Sequence, residues 1–165
     1  MIEMRDKVAS GYLTVTKKYS DGAEEIVVDN EKNAITMSSR RYHLSFLHKQ
    51  SAVIDLLSSF KIGIGGTVDP DGKLPIVPDP TLNDLYSPIP LANDSITIIE
   101  SSPTDDSEVY IEVIFTIAQD EANGLRIDEC GVFKERGDMF NIKTFRAIEK
   151  TESFSLVFNW RILYV

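Results

Sequence analysis

The chain has 165 residues, 42% hydrophobic and 26% charged, which is enough apolar material for one domain with a real core. Its formal charge of −9 is the wrong sign for binding nucleic acid or an anionic membrane surface. A single cysteine, Cys130, excludes an internal disulfide and a cysteine metal cluster; the opening MIEMRDKVAS lacks the apolar stretch of a secretion signal, and no apolar run approaches the roughly 18 residues of a membrane span.

Residues 11–30 predict a β-hairpin. Tyr12 to Thr16 is β-branched and aromatic, Ser20-Asp21-Gly22 is a turn signal, and Glu24 to Val28 returns. Residues 38–58 read as helical, with Thr36, Ser38 or Ser39 as the cap. Tyr42 and Phe46 stand at i and i+4, Leu44 and Leu47 at i and i+3, and the apolar pattern runs on through Val53, Ile54, Leu56 and Leu57. This is one helix, or two with a break near Gln50-Ser51. His43 and His48 are five apart, so they fall on different faces of a helix and do not make a zinc pair. Phe60, Ile62 and Ile64 then alternate with Lys61, Gly63 and Gly65 as a strand. No G-x-G-x-x-G precedes a helix, so the glycines are read as room for another backbone and not as a phosphate loop.

Pro70, Pro75, Pro78, Pro80, Pro88 and Pro90 crowd into 67–107, with Pro103 after them. No helix or central strand fits such a run. The segment predicts an extended arm that lies on a surface and inserts a few side chains. Asp69, Asp71 and Gly72 faintly resemble a calcium loop, but no glutamate closes it at the right distance. Ile96, Ile98 and Ile99 suggest a short strand before a polar loop at 101–107.

Residues 109–118 alternate, with Val109, Ile111, Val113, Phe115 and Ile117 on one face. Residues 123–145 form the central hairpin. Leu125, Ile127, Val132 and Phe133 lead into the turn Glu135-Arg136-Gly137-Asp138, and Phe140, Ile142 and Thr144 share one face on the return. Gly131 inside the first strand marks a bulge or a close backbone approach, and its neighbour Cys130 reads as a buried inert thiol. In 153–165, Phe154, Leu156, Phe158, Trp160, Ile162 and Tyr164 point one way. The expected fold is α+β but mainly β: a single domain over 1–165, an antiparallel β-sandwich-like body with one or two helices in its N-terminal half and a long proline-rich arm. No G-x-S-x-G occurs and no acid pair or histidine–serine spacing marks a catalytic site, so neither enzyme activity nor a cofactor or metal is expected.

Three segments in order carry a resemblance. They are the helix followed by Phe60-Lys61-Ile62-Gly63-Ile64-Gly65-Gly66-Thr67, then Pro75-Ile76-Val77-Pro78-Asp79-Pro80 with Leu82, Leu85 and Tyr86, then Ile127 to Phe133 with its returning strand through Phe145. Over roughly 40–150 the chain resembles the tail-collar fibre domain, which anchors the tail fibres of contractile-tailed bacteriophages. A fibre shaft usually follows that domain, whereas here the sequence stops at Val165. The resemblance therefore implies a free-standing tail or baseplate protein, made in the bacterial host cytoplasm and assembled into the virion in multiple copies. It would dock other tail, baseplate or fibre proteins, with no nucleic acid or membrane partner. Pro75, Pro78, Pro80, Leu82, Leu85 and Tyr86 are the candidate partner-binding residues. The competing reading is a small β-sandwich module for carbohydrate or another ligand, for which Tyr86, Asn83 and Asp84 are the candidates.

Overall fold

The computed structural model describes residues 10–48, 54–101 and 109–164. Among these described residues, ten strands and one helix follow in the order β1 (Ser10–Tyr19), β2 (Glu24–Lys32), β3 (Ala34–Ile35), α1 (Met37–His48), β4 (Leu57–Gly63), β5 (Pro88–Ile89), β6 (Thr97–Glu100), β7 (Val109–Ile117), β8 (Arg126–Lys134), β9 (Met139–Glu149) and β10 (Phe154–Tyr164). They form two five-stranded antiparallel sheets, β2-β1-β10-β7-β6 and β3-β9-β8-β4-β5.

Period-two alternation builds the sandwich. Leu13 and Val15 of β1, Val113, Phe115 and Ile117 of β7, and Leu156, Phe158, Trp160 and Ile162 of β10 all turn inward and are buried. The facing sheet supplies Phe60, Ile62, Ile127, Cys130, Val132 and Phe145 to the same core. Phe60 ties the layers together: its ring stacks on Phe115 at 4.3 Å and 12° and lies 5.1 Å from Phe158. Gly22 and Gly137 take φ of 89° and 92° in the turns of the two hairpins, a conformation that suits glycine.

Several expectations need correcting. The helical pattern over 38–58 is overridden at its far end. Of that pattern, 49–53 lie outside the described residues, but 54–56 carry no helix and Leu57 opens β4. Asp55 explains the change. It is buried, its N–H donates to Tyr42 Oη at 2.8 Å, its carboxylate accepts the Arg136 N–H at 3.1 Å, and it sits 3.6 Å from the buried Lys134 ammonium. The Glu135 N–H donates to the Leu56 carbonyl at 2.9 Å, so this stretch extends the sheet beside the β8–β9 turn. Such tertiary pairing outweighs the few tenths of a kcal/mol per residue that separate helix propensities. The side chains of His43 and His48 lie outside the described ones.

Phe140 and Ile142 do not share a face. The register slips between Val132 and Phe133, where β9 carries one residue more than β8. Phe140 joins the sandwich core, while Ile142 packs on the outer side with Leu85, Phe133 and Met139. Val109 is exposed at the start of β7.

The extended arm is not a separate feature either. Residues 64–91 run back over the outer face of the second sheet as a strap. β5 pairs with β4, and Thr67 bridges Pro75.

Candidate functional site

The strap is held by two neighbouring carboxylates on β8. The register also slips between Ile127 and Glu129, so Asp128 and Glu129 both turn out of the core while Ile127 and Cys130 stay in it. Glu129 is fully buried and accepts three backbone N–H groups: Gly65 at 3.1 Å and Ser87 at 2.7 Å on Oε1, and Tyr86 at 2.9 Å on Oε2. Asp128 accepts the Gly66 N–H at 2.7 Å and the Thr67 hydroxyl at 2.6 Å. One dipeptide thus grips both ends of the strap.

The glycines are what make this grip possible. A Cβ on Gly63 would collide with the Glu129 carboxylate, and one on Gly66 with the Asp128 carbonyl. Gly131 lets Leu85 sit down on the strand: a Cβ there would stand 3.2 Å from the Leu85 methyl and 2.8 Å from the Asn141 carbonyl. The close-approach reading of these residues is therefore correct.

Burial pushes the Glu129 carboxyl above its ordinary range. The three amides pull it down by less, and the charge of Asp128 adds a small upward push. Neither acid forms an ion pair among the described residues, so neutral donors alone, four backbone N–H groups and the Thr67 hydroxyl, offset their desolvation.

Further bonds fix the strap along its length. Ala147 N–H donates to the Gly72 carbonyl at 2.8 Å, Met37 N–H to the Pro80 carbonyl at 2.8 Å, and the Thr144 hydroxyl to the Ile76 carbonyl. Arg126 closes over it through the Pro70 carbonyl at 2.6 Å. Asp69 organises the turn of the strap. Its oxygens accept the N–H groups of Lys73 and Leu74, which also hold its carboxyl below the usual range.

No protein-family model, curated protein or solved structure matches this chain.

The candidate docking residues divide into two groups. Leu85 is buried, and Leu82 packs beside it against Phe133, Met139 and Ile142. Both are spent holding the strap down, so Leu85→Ser is expected to destabilise the isolated protein by about 2–5 kcal/mol, as loss of a buried leucine does. Thermal or denaturant unfolding checks this, and an unchanged midpoint would count against it. Pro78 and Pro80 are half-buried, while Pro75 and Tyr86 face solvent. The Tyr86 hydroxyl accepts the Asp79 N–H at 3.3 Å.

Periodicity did not single out the most exposed aliphatic side chains of the strap: Val77 at 88%, Val68 at 69% and Leu74 at 59%. Val68 and Leu74 sit together, since the Val68 N–H donates to the Leu74 carbonyl at 3.0 Å. Periodicity does not single out Asp128 and Glu129 either. Their signal was present: two acids in a row inside an otherwise apolar strand must be satisfied by something.

The chemistry on offer is limited. Cys130 is buried, and burial pushes its thiol well above the ordinary value, so the nucleophilic thiolate is disfavoured. Among the described residues no group of three or more His, Cys, Asp or Glu is placed to hold a metal ion. Of the carbohydrate candidates, Asp84 is taken up by Lys61 at 3.0 Å.

Proposed function

We propose that the protein is a non-catalytic structural component of a bacteriophage-like contractile tail, a baseplate or fibre-attachment protein that docks other tail proteins through its strap. The observation that carries this reading is a strap fixed by hydrogen bonds along its length that still exposes several apolar side chains. The strap is tied down by the acid pair and by bonds at Pro70, Gly72, Ile76 and Pro80, yet it presents Val68, Leu74 and Val77 to water. Connecting loops usually show polar residues outward, and a preorganised apolar surface suits a protein partner because little entropy is lost on docking. The three segments that carry the tail-collar resemblance also supply this one constellation: the glycines, the gripping acids and Leu85.

Val68→Ser, Leu74→Ser and Val77→Ser together are expected to leave the melting temperature within a few degrees of wild type. They are expected to abolish incorporation into purified particles, read by mass spectrometry. Normal incorporation of the triple variant would remove the strap as the docking element. Absence of the wild-type protein from the particles would remove the tail assignment itself.

A further inference from the structure

The first sheet ends in β2 on one side and β6 on the other, and the two edges differ in kind. Strand β2 is guarded. It carries Glu24, Glu25, Asp29 and Glu31, its pairing with β1 is broken by two register shifts, and Asn30 takes a φ of 47°. Lys18, Lys17 and Lys143 pair with Glu24, Glu25 and Glu31 at 3.0, 3.3 and 2.8 Å. Charges and irregularities of this sort stop a sheet edge from accepting another strand.

Strand β6 has no such guard. Thr97, Ile98, Ile99 and Glu100 lie on β7 in unbroken register, and the Ser101 N–H prolongs the ladder to the Tyr110 carbonyl at 2.9 Å. All four residues are exposed, with Ile98 at 44% and Ile99 at 48%. The far side of β6 meets no strand among the described residues.

We propose that β6 is the interface between two copies of this chain, paired antiparallel about a two-fold axis normal to the sheet. Such an axis keeps the core faces of both copies on one side, so only residues that share a face come opposite each other. With Ile99 on the axis, Ile99 meets Ile99 of the second copy, Ile98 meets Glu100 and Thr97 meets Ser101. The placement of charge selects this occupant. The strand bears one charge, at its end, and antiparallel self-pairing sends the two Glu100 carboxylates to opposite ends of the joint. The contact is isologous, so it closes at two copies and uses up both open edges. Only a few residues pair, so the dimer is weak beside a standard interface, and each copy carries −9, so added salt strengthens it.

Sedimentation velocity on the purified full chain tests this, from micromolar to submillimolar protein in low and high sodium chloride. The weight-average mass of the wild type is expected to climb towards twice the monomer, further in high salt. Ile99→Lys is expected to stay monomeric, while Ile26→Lys on the β2 edge associates as wild type does. Hydrogen exchange on the wild type gives a readout free of any variant: the Ile98 and Glu100 amides, which point away from β7, gain protection as concentration rises. A wild type monomeric throughout, undiminished association of a folded Ile99→Lys, or no gain in protection at Ile98 and Glu100 would each overturn the proposal.

Discussion

Glu129→Ala is expected to free both ends of the strap while the sandwich stays folded. The substitution strands the N–H groups of Gly65, Tyr86 and Ser87 in a buried site. Each buried unsatisfied amide costs about 1–3 kcal/mol. The costs do not add, because the strap can lift and let water in, so a net loss of about 3 kcal/mol is expected. Hydrogen exchange should report it first, with the strap amides exchanging about a hundredfold faster and the amides of β10 little changed. Equal acceleration everywhere would mean that the strap and the sandwich unfold as one unit.

Glu129→Gln separates charge from shape. Its carbonyl can serve Gly65 and Ser87, but its NH₂ then faces the Tyr86 N–H, so it should fall between wild type and alanine. The sign of its pH dependence follows from burial. The folded carboxyl holds its proton more tightly than the unfolded one, so its contribution is present below the ordinary glutamate range and is lost as pH rises through the elevated value. The melting temperature of wild type should therefore gain on that of Glu129→Gln as pH is lowered from neutral into that range. A difference independent of pH would show that Glu129 titrates as it does in the unfolded chain.

Trp160→Ala is expected to cost about 3–5 kcal/mol, the range for removing a large buried aromatic. Trp160 is fully buried at the middle of β10, opposite Leu13 on one neighbouring strand and Val113 on the other, with its ring 6.3 Å from that of Phe60. A loss of that size consumes much of the 5–15 kcal/mol that typical domains possess. Trp160→Phe should cost much less. It keeps most of the volume and removes an indole N–H that meets no acceptor among the described residues. Denaturant midpoints measure both, and a native fluorescence maximum typical of exposed indole would contradict the burial.

The strands that alternate were legible because a half-buried sheet writes its period directly into the sequence. Val113, Phe115 and Ile117 are buried as the pattern in β7 predicts, and Leu156, Phe158, Trp160 and Ile162 as the pattern in β10 predicts. What the pattern hid was set by contacts distant along the chain. Leu56 and Leu57 continue a helical spacing, but Asp55 and Lys134 bind that segment to a hairpin about 80 residues away. The prolines correctly excluded a helix or a central strand from 67–91, where only the two-residue edge strand β5 forms, yet they could not say that the chain folds back onto itself. That depends on Glu129, whose donors all lie 42 to 64 residues away. The site was half legible: the glycines and Leu85 were marked as important, while the acids that use them were not. Lys134 and Lys150 were equally silent, being buried cations whose partners, such as Asp55 for the first and the Gln119 carbonyl for the second, come from other parts of the chain.

The position of β10 has a consequence for how the protein is made. β10 lies between β1 and β7, with Ser10 against Leu163 and Val109 against Tyr164. The hairpin of β1 and β2 leaves the ribosome first, but its inner edge has no neighbour until the residues around Phe154 to Tyr164 have been translated. At translation rates of roughly 5–20 residues per second, Leu13 and Val15 wait several seconds without the strand that covers them. Closing a sheet across nearly the whole chain is also slow, because the ordering entropy is spent before the contacts form. Nascent chains are therefore most prone to mispairing just before β10 emerges, and a ribosome stalled near Lys150 would leave a chain open on two edges at once.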